Sequence, residues 1–573
     1  MLVFLEDGIK ILGANRIKLP PAWLIAGVIS FVWGNGLFAQ DVPTPGTVQE
    51  QFRQQTPSAV PGATPDIDGP KQSPKPGIPT GGKQILIDRF EISGNSVISD
   101  AELDALVEPF EGRSLTLFEI YEVADLLTSH YRDQGYAVAS VTVPAQKVSS
   151  GIVLLEVIEG RIGAVEVAGN PLYRDAFVQR RVMEIQPGGI ISEQYLQNDL
   201  LRLNDLPGLT AQAVVRPGAS FGESDLVIRT EGDRFEYGAR FNNYGRTSIG
   251  EWKVEGDLAI NSPLGIGDRI DLGIVHAEGG MLDYFSGRYS LPVWHHGTRA
   301  SVYFSRYDYV VDSDELPLGF QGLDLSGDGD NFGVNVFHPV IRSRDENLFV
   351  GLAFDRAITR QLTRSVGLKE KADIGVMRLS AIYSRVHANN SFTTLTGIFS
   401  TNFDENERDP VTFQPENNAQ TAKLEIQASH FHPLNDLWSL YGKLVMAGSV
   451  DPLVDVEKFR IGGRESVRGY ASAELAGDGG YSVTLEVQRR FVYAGTMPSR
   501  AFLFFDSGTV TRKNSALIGL ASSESISGAG IGLETLVTPQ YRLNVELAKQ
   551  IGSQESVDGR DGLRIWAGLN ANF

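Results

Sequence analysis

Near its C-terminus the chain alternates apolar and polar residues with a period of two. Tyr541, Leu543, Val545 and Leu547 alternate with Arg542, Asn544, Glu546 and Ala548. Leu563, Ile565, Ala567, Leu569, Ala571 and Phe573 alternate with Arg564, Trp566, Gly568, Asn570 and Asn572. Val483, Leu485 and Val487 do the same with Thr484, Glu486 and Gln488. Successive side chains of a strand point to opposite faces, so each segment offers one apolar face and one that carries charge even in mid-strand. A soluble sandwich would turn the polar face to solvent. A transmembrane barrel would turn it to a wet lumen. Tight connections such as Val537-Thr538-Pro539-Gln540 sit between longer polar ones such as Thr511 to Ser525, the turn-and-loop asymmetry of a membrane barrel. Residues 235–573, at roughly 20 residues per strand with its share of connection, give about sixteen or seventeen strands, and bacterial barrels use even numbers. The expected fold class is therefore an all-β transmembrane barrel of about 16 antiparallel strands.

Upstream the period changes and a unit repeats. Phe90-Glu91-Ile92-Ser93-Gly94-Asn95 recurs as Val165-Glu166-Val167-Ala168-Gly169-Asn170. Leu155-Glu156-Val157-Ile158-Glu159-Gly160 recurs as Val227-Ile228-Arg229-Thr230-Glu231-Gly232. In the first unit Ile120, Val123, Ala124, Leu127 and Tyr131 share a helical face. Gly135 stops that helix, and Ala137 to Val143 and Ile152 to Ile158 read as strands. In the second, Tyr195, Leu196, Asp199, Leu200 and Leu203 take helical positions, Pro207-Gly208 ends the helix, and Thr210 to Val215 and Asp225 to Thr230 read as strands. Two α+β units, residues 84–160 and 161–232, thus precede the barrel.

The N-terminal part is of a different kind. Ala22 to Phe38 is an apolar run preceded by Lys10, Arg16 and Lys18 and followed by Ala39-Gln40, which reads as a signal peptide over residues 1–39, with an uncleaved anchor as the alternative. Residues 40–83 carry Pro57, Pro61, Pro65, Pro70, Pro74, Pro76 and Pro79, the composition of an extended linker. Val48 to Gln55 lacks Pro and Gly and suits a short helix.

Composition narrows the chemistry. The 573 residues contain no cysteine, which removes disulfides, thiol catalysis and Cys-ligated metal sites. A formal net charge of -19 is the wrong sign for a nucleic-acid partner. No Gly-x-Ser-x-Gly elbow or His-Glu-x-x-His helix is present. Gly528-Ala529-Gly530-Ile531-Gly532 lies in a strand region, where glycines let a strand bend. Asp324, Asp328 and Asp330 lack the completing residues of a calcium loop and read as a solvated outer loop. His295 and His296 beside Gly297 point opposite ways and read as surface. The expectation is a non-enzyme with no cofactor and no metal.

One stretch stands apart: Phe459-Arg460-Ile461-Gly462-Gly463-Arg464-Glu465-Ser466-Val467-Arg468-Gly469-Tyr470. Its glycines permit a tight fold-back, and its arginines need acceptors, which a wet, acid-lined lumen would supply. It reads as a basic hairpin tucked inside the barrel. The string resembles the Val-Arg-Gly-Tyr loop of BamA-like outer-membrane transporters, in particular the two-partner secretion type (hemolysin activator and filamentous hemagglutinin transporters). Phe504-Phe505-Asp506-Ser507-Gly508 is similar to that family's Phe-x-Asp-x-Gly strand motif, and Asn261 to Asp268 to an early barrel hairpin. The repeated units look like POTRA domains.

The resemblance implies a site made of Arg460, Gly462, Gly463, Val467, Arg468, Gly469 and Tyr470 on the loop, with Asp506 and Gly508 on the barrel wall and Arg468 paired to Asp506. It implies a plug helix in the N-terminal linker, and a terminal Phe573 read by the outer-membrane assembly machinery. It places the barrel in outer-membrane lipid and the POTRA-like domains in the periplasm, where they bind an unfolded exoprotein client for export without nucleotide. A BamA-like insertion factor and a passive porin remain as the rival readings.

Overall fold

A computed structural model describes residues 42–50, 67–68, 82–148, 150–169, 172–182, 184–294, 296–316, 321–322, 324–365, 367–402, 421–493, 497–513, 515, 521–560 and 562–573. The expected signal peptide, most of the linker and His295 lie outside these residues. Two compact units form, one of residues 64–233 and one of residues 1–63 with 234–573.

The larger unit is a closed barrel of sixteen strands, from Phe235–Asn242 to Leu563–Asn572. Every neighbouring pair is antiparallel, and the first strand closes on the last through Gly238–Asn242 against Asn572–Gly568. Closure leaves no unpaired edge, which a lipid-embedded sheet requires. The alternation sorts the two faces. Phe304, Phe332, Phe354, Leu379, Leu485, Leu503, Phe505 and Ile565 are exposed on the outside, while Lys253, Glu425, Lys423, Asp506 and Glu546 are buried within. An exposed apolar exterior around a charged interior is inverted relative to a soluble fold and suits lipid. The strand of Phe235 continues from residue 234, so the rim holding Phe235, the Asn261–Asp268 turn and Phe573 is the one by which the chain enters the barrel.

Strand lengths vary around the wall. The first three have eight or nine residues, whereas Leu325–Arg342, Glu346–Thr363 and Leu368–Val386 have eighteen or nineteen. A strand crosses a bilayer in roughly 9–11 residues, so the long hairpins project beyond it. Here the reading of a solvated acidic loop is corrected: Asp328 and Asp330 lie within Leu325–Arg342, paired with Arg360 and Arg306. The connection read as Thr511 to Ser525 is also shorter, because the strands reach Thr511 and begin again at Ser523.

The smaller unit holds the repeat. In its first half Arg89–Ser93, Ile152–Ile158 and Ser140–Thr142 form one sheet, covered by Asp100–Val107 and Leu117–Asp133. Ile120, Val123, Ala124, Leu127 and Tyr131 all face the core, and Thr116 with Glu119 makes a capping box that starts the long helix. The strand expected over Ala137 to Val143 shortens to Ser140–Thr142, because the Gly135 and Tyr136 amides donate back to the helix carbonyls of Arg132 and Tyr131 and the Ala139 amide closes a turn on Tyr136. The second half places Glu223–Gly232 between Leu209–Pro217, antiparallel to it, and Arg161–Ala168, parallel to it. Helix Glu193–Asn204 lies beside them, burying Leu196, Leu200 and Leu203 while Tyr195 faces out. The remaining edge of that sheet, Leu209–Pro217, carries Ile67–Asp68 as a parallel strand.

Candidate functional site

The Gly-Arg stretch folds back into the barrel as a hairpin. Phe459–Ile461 pairs with Leu475–Gly477, and Gly462 and Gly463 reverse the chain at φ 110° and 90°. Both angles belong to the region glycine occupies without penalty. The Ser466 hydroxyl bonds the Gly462 backbone on both sides, accepting from its amide at 2.8 Å and donating to its carbonyl at 3.1 Å. Val467 and Tyr470 are fully buried with Phe459, Ile461, Val510 and Ile526, and the Tyr470 hydroxyl donates to the Gln554 carbonyl at 3.3 Å.

Arg468 is the centre of the arrangement. Its Nε and Nη2 donate to the two oxygens of Asp506 at 2.7 and 2.9 Å, and its backbone amide donates to the same carboxylate at 3.2 Å. Its Nη1 reaches Glu486 at 2.9 Å and Glu546 at 3.3 Å. The guanidinium lies 3.4 Å from the centroid of the Phe504 ring, and its carbonyl accepts from Trp566 Nε1 at 2.8 Å. One planar cation thus meets three carboxylates and an aromatic face, a set that a guanidinium fork satisfies and an ammonium does not. Arg464 completes the cluster at 2.7 Å from Glu546 and 4.7 Å from the Tyr244 ring.

Close approach of the tip to the wall depends on missing side chains. A Cβ on Gly469 would sit 3.1 Å from the Gln550 amide nitrogen, and one on Gly528 would sit 3.1 Å from the Gly469 nitrogen. The Gly528-to-Gly532 series therefore clears space for the loop and for the rings of Phe504 and Phe502, a role the sequence reading did not assign to it. Gly508 leaves room for Ile461 in the same way.

Arg460 lies at the other end of the hairpin, where its Nη2 donates to Asp455 at 3.0 Å and to the Thr44 hydroxyl at 3.3 Å. Thr44 precedes a helix of six residues, Pro45–Glu50, which starts three residues before the expected Val48. Val48 is buried among Ile249, Tyr307, Tyr309, Leu316 and Leu325, so the helix Pro45–Glu50 is packed inside the barrel. Residues 51–55 of the expected helix lie outside the described residues.

Phe573 sits on the rim of Phe235, stacked on Tyr237 at 5.4 Å and edge-on to Tyr541 at 5.9 Å. Its amide donates to the Tyr237 carbonyl at 2.9 Å, extending the closing seam by one pair.

Sequence reasoning named Arg468 and Asp506 but missed Glu486, Glu546, Phe504 and Trp566 as their companions. The signal was present, since Glu486 and Glu546 are charges on the inward face of alternating strands, yet nothing local says which loop residue they meet. Among the described residues no cluster of His, Cys, Asp and Glu has the form of a metal site.

The chain is similar to known proteins over most of its length. The chain is 22% identical over 577 residues to the heme/hemopexin transporter protein HuxB of Haemophilus influenzae, covering 97% of this chain and 100% of that one. It is 25% identical to the outer membrane transporter CdiB of Escherichia coli, covering 81% and 78%. The solved structure of CdiB from Escherichia coli superposes with a TM-score of 0.65 at 20% identity, over 87% of this chain and 93% of that one. Residues 85–160 match the POTRA domain of ShlB type. Residues 222–535, more than half of the chain, match the model of the haemolysin secretion/activation protein ShlB/FhaC/HecB, and the chain belongs to that family.

Proposed function

We propose that this chain is an outer-membrane transporter that exports one cognate, large exoprotein from the periplasm to the cell surface. The barrel spans the outer membrane and the two POTRA-like domains stand in the periplasm. The client is held there as an extended, unfolded chain by strand addition at the sheet edges. Arg89–Ser93 and Ser140–Thr142 are such edges. The barrel is the route outward, and at rest the inserted hairpin and the helix Pro45–Glu50 fill it. The chain performs no catalysis and consumes no nucleotide; folding of the client outside the cell helps to pull it through.

The observation that carries this reading is Arg468, buried among Asp506, Glu486 and Glu546 inside the barrel. Charge buried at that cost is a poor way to stabilise a fold, and a good way to give a loop one defined and releasable position. A passive porin has no use for it. The test is co-expression with a large secreted protein encoded beside this chain. Release of that protein into the medium only when both are present supports export. No release with any candidate, together with failed assembly of other barrels when this chain is lost, would favour the insertion-factor reading.

A further inference from the structure

The hairpin is fastened at a second place, on different strands from those that hold Arg468. Just before Phe459 the chain runs through Asp455-Val456-Glu457. Val456 packs against Ile374 and Val376 of strand Leu368–Val386. The Glu457 carboxylate lies 3.2 Å from Lys423 Nζ and 3.5 Å from Arg378 Nη2, and Lys423 also donates to the Glu457 carbonyl at 3.3 Å. Lys423 and Glu457 are both under one-tenth exposed. Arg378 is paired in turn with Asp355 on strand Glu346–Thr363.

Two residues earlier the same segment serves the N-terminal helix. Asp455 accepts from the Gly46 amide at 2.9 Å and from Arg460 at 3.0 Å, and the Pro45 carbonyl accepts from the Tyr307 hydroxyl at 3.4 Å. One short segment therefore grips the helix through Asp455, an apolar patch through Val456 and a buried pair of cations through Glu457. Apolar residues of similar size would hold the segment as well as buried ions do. What the ions add is a single register, because either partner alone is left uncompensated.

We infer that Glu457 is a positioning residue for transport: its pairing with Lys423 and Arg378 fixes the root of the hairpin to the wall and, through Asp455, keeps the helix Pro45–Glu50 in the lumen, so that root and helix leave as one unit. This rests on the reading that the helix closes the pore at rest.

The full-length protein in liposomes and planar bilayers provides the test. Because the chain has no cysteine, Glu50→Cys gives a unique site for a spin label on the helix. Glu457→Gln, which keeps the shape and removes the charge, is expected to raise the open-channel probability at least about tenfold and to mobilise the label. Lys423→Met is expected to do the same, and the double variant to add little to either single change, the mark of one shared interaction. Asp455→Asn is expected to mobilise the label as well. Wild-type conductance and label spectrum in a correctly folded, heat-modifiable Glu457→Gln barrel would overturn the inference, while loss of export in Arg468→Ala would leave the transport reading standing. A wild-type channel that conducts steadily with a mobile label would overturn the plugged-pore reading itself.

Discussion

Arg468 and Asp506 meet fork to fork, with parallel contacts of 2.7 and 2.9 Å between residues 38 positions apart in the chain. Two parallel bonds fix an orientation as well as a distance, so the tip of the hairpin is held in one pose against the inner wall. Lysine cannot reproduce that pose. Arg468→Lys is therefore expected to behave as a loss of function, with the loop mobile although the charge is kept. A single cysteine at the exposed Glu465 reports this: its labelling by a water-soluble maleimide should be several-fold faster in Arg468→Lys than in the parent.

Phe573 extends a seam that is short. The first and last strands share five register pairs, and the aromatic stack with Tyr237 and Tyr541 adds area at the rim where that seam ends. Aromatic pairs contribute about 0.5–1.5 kcal/mol beyond their burial. Phe573→Ala is expected to lower the fraction of chains that reach the folded, heat-modifiable barrel, and Tyr237→Ala to do so more weakly. A normal folded yield in Phe573→Ala would remove the residue from assembly.

Glu159 gives the first POTRA-like domain a pH dependence of known sign. Burial alone would raise its pKa, but bonds from the Ser96 hydroxyl, the Ser96 and Val97 amides and Tyr131 outweigh it and hold the carboxyl below its ordinary value. A depressed pKa adds stability above the unfolded value near 4.5, and that stability is lost as pH falls through the folded value. Hydrogen bonds to a charged group contribute about 1.5–3 kcal/mol. Protection of the Ser96 and Val97 amides, taken relative to their intrinsic exchange rate at each pH, should thus be high at pH 7, fall in acid below the ordinary carboxylate range, and in Glu159→Gln be low throughout.

Strand addition at Leu209–Pro217 requires removal of Ile67–Asp68, which pairs there through Ala213 and Val214. A segment of the same chain competes intramolecularly with any client strand for that edge. Ile67→Pro removes a backbone donor and weakens that pairing. It is expected to raise the affinity for a client-derived peptide several-fold in fluorescence anisotropy; unchanged binding would show that clients use another edge.

The barrel was legible because its signal is local. Alternation around Leu485, Leu543 and Ile565 assigns each residue a face, and dividing the segment by strand length gives about sixteen or seventeen strands, of which the even number matches the closed barrel. The repeated Glu-x-x-Gly-Asn marks gave the two domains for the same reason. Contacts across the lumen were not legible. Glu486, Glu546 and Trp566 meet Arg468 from three strands at separations of 18, 78 and 98 residues, and the strand pattern is identical whichever inward charge they face. Glu457 was invisible for a second reason: it sits just outside the glycine-rich string, in a segment without periodicity. The position of Asp328 was misread because charge looks the same in a loop and on a strand that projects beyond the membrane.

The most direct test of the whole account is export of the cognate exoprotein by cells carrying Arg468→Ala. Removing one member of a buried charged cluster costs about 3–5 kcal/mol locally, and sixteen closed strands are expected to survive it, as heat-modifiability and outer-membrane fractionation would report. The predicted result is a normally inserted barrel whose release of client into the medium falls at least about tenfold. Undiminished secretion from that variant would contradict the account.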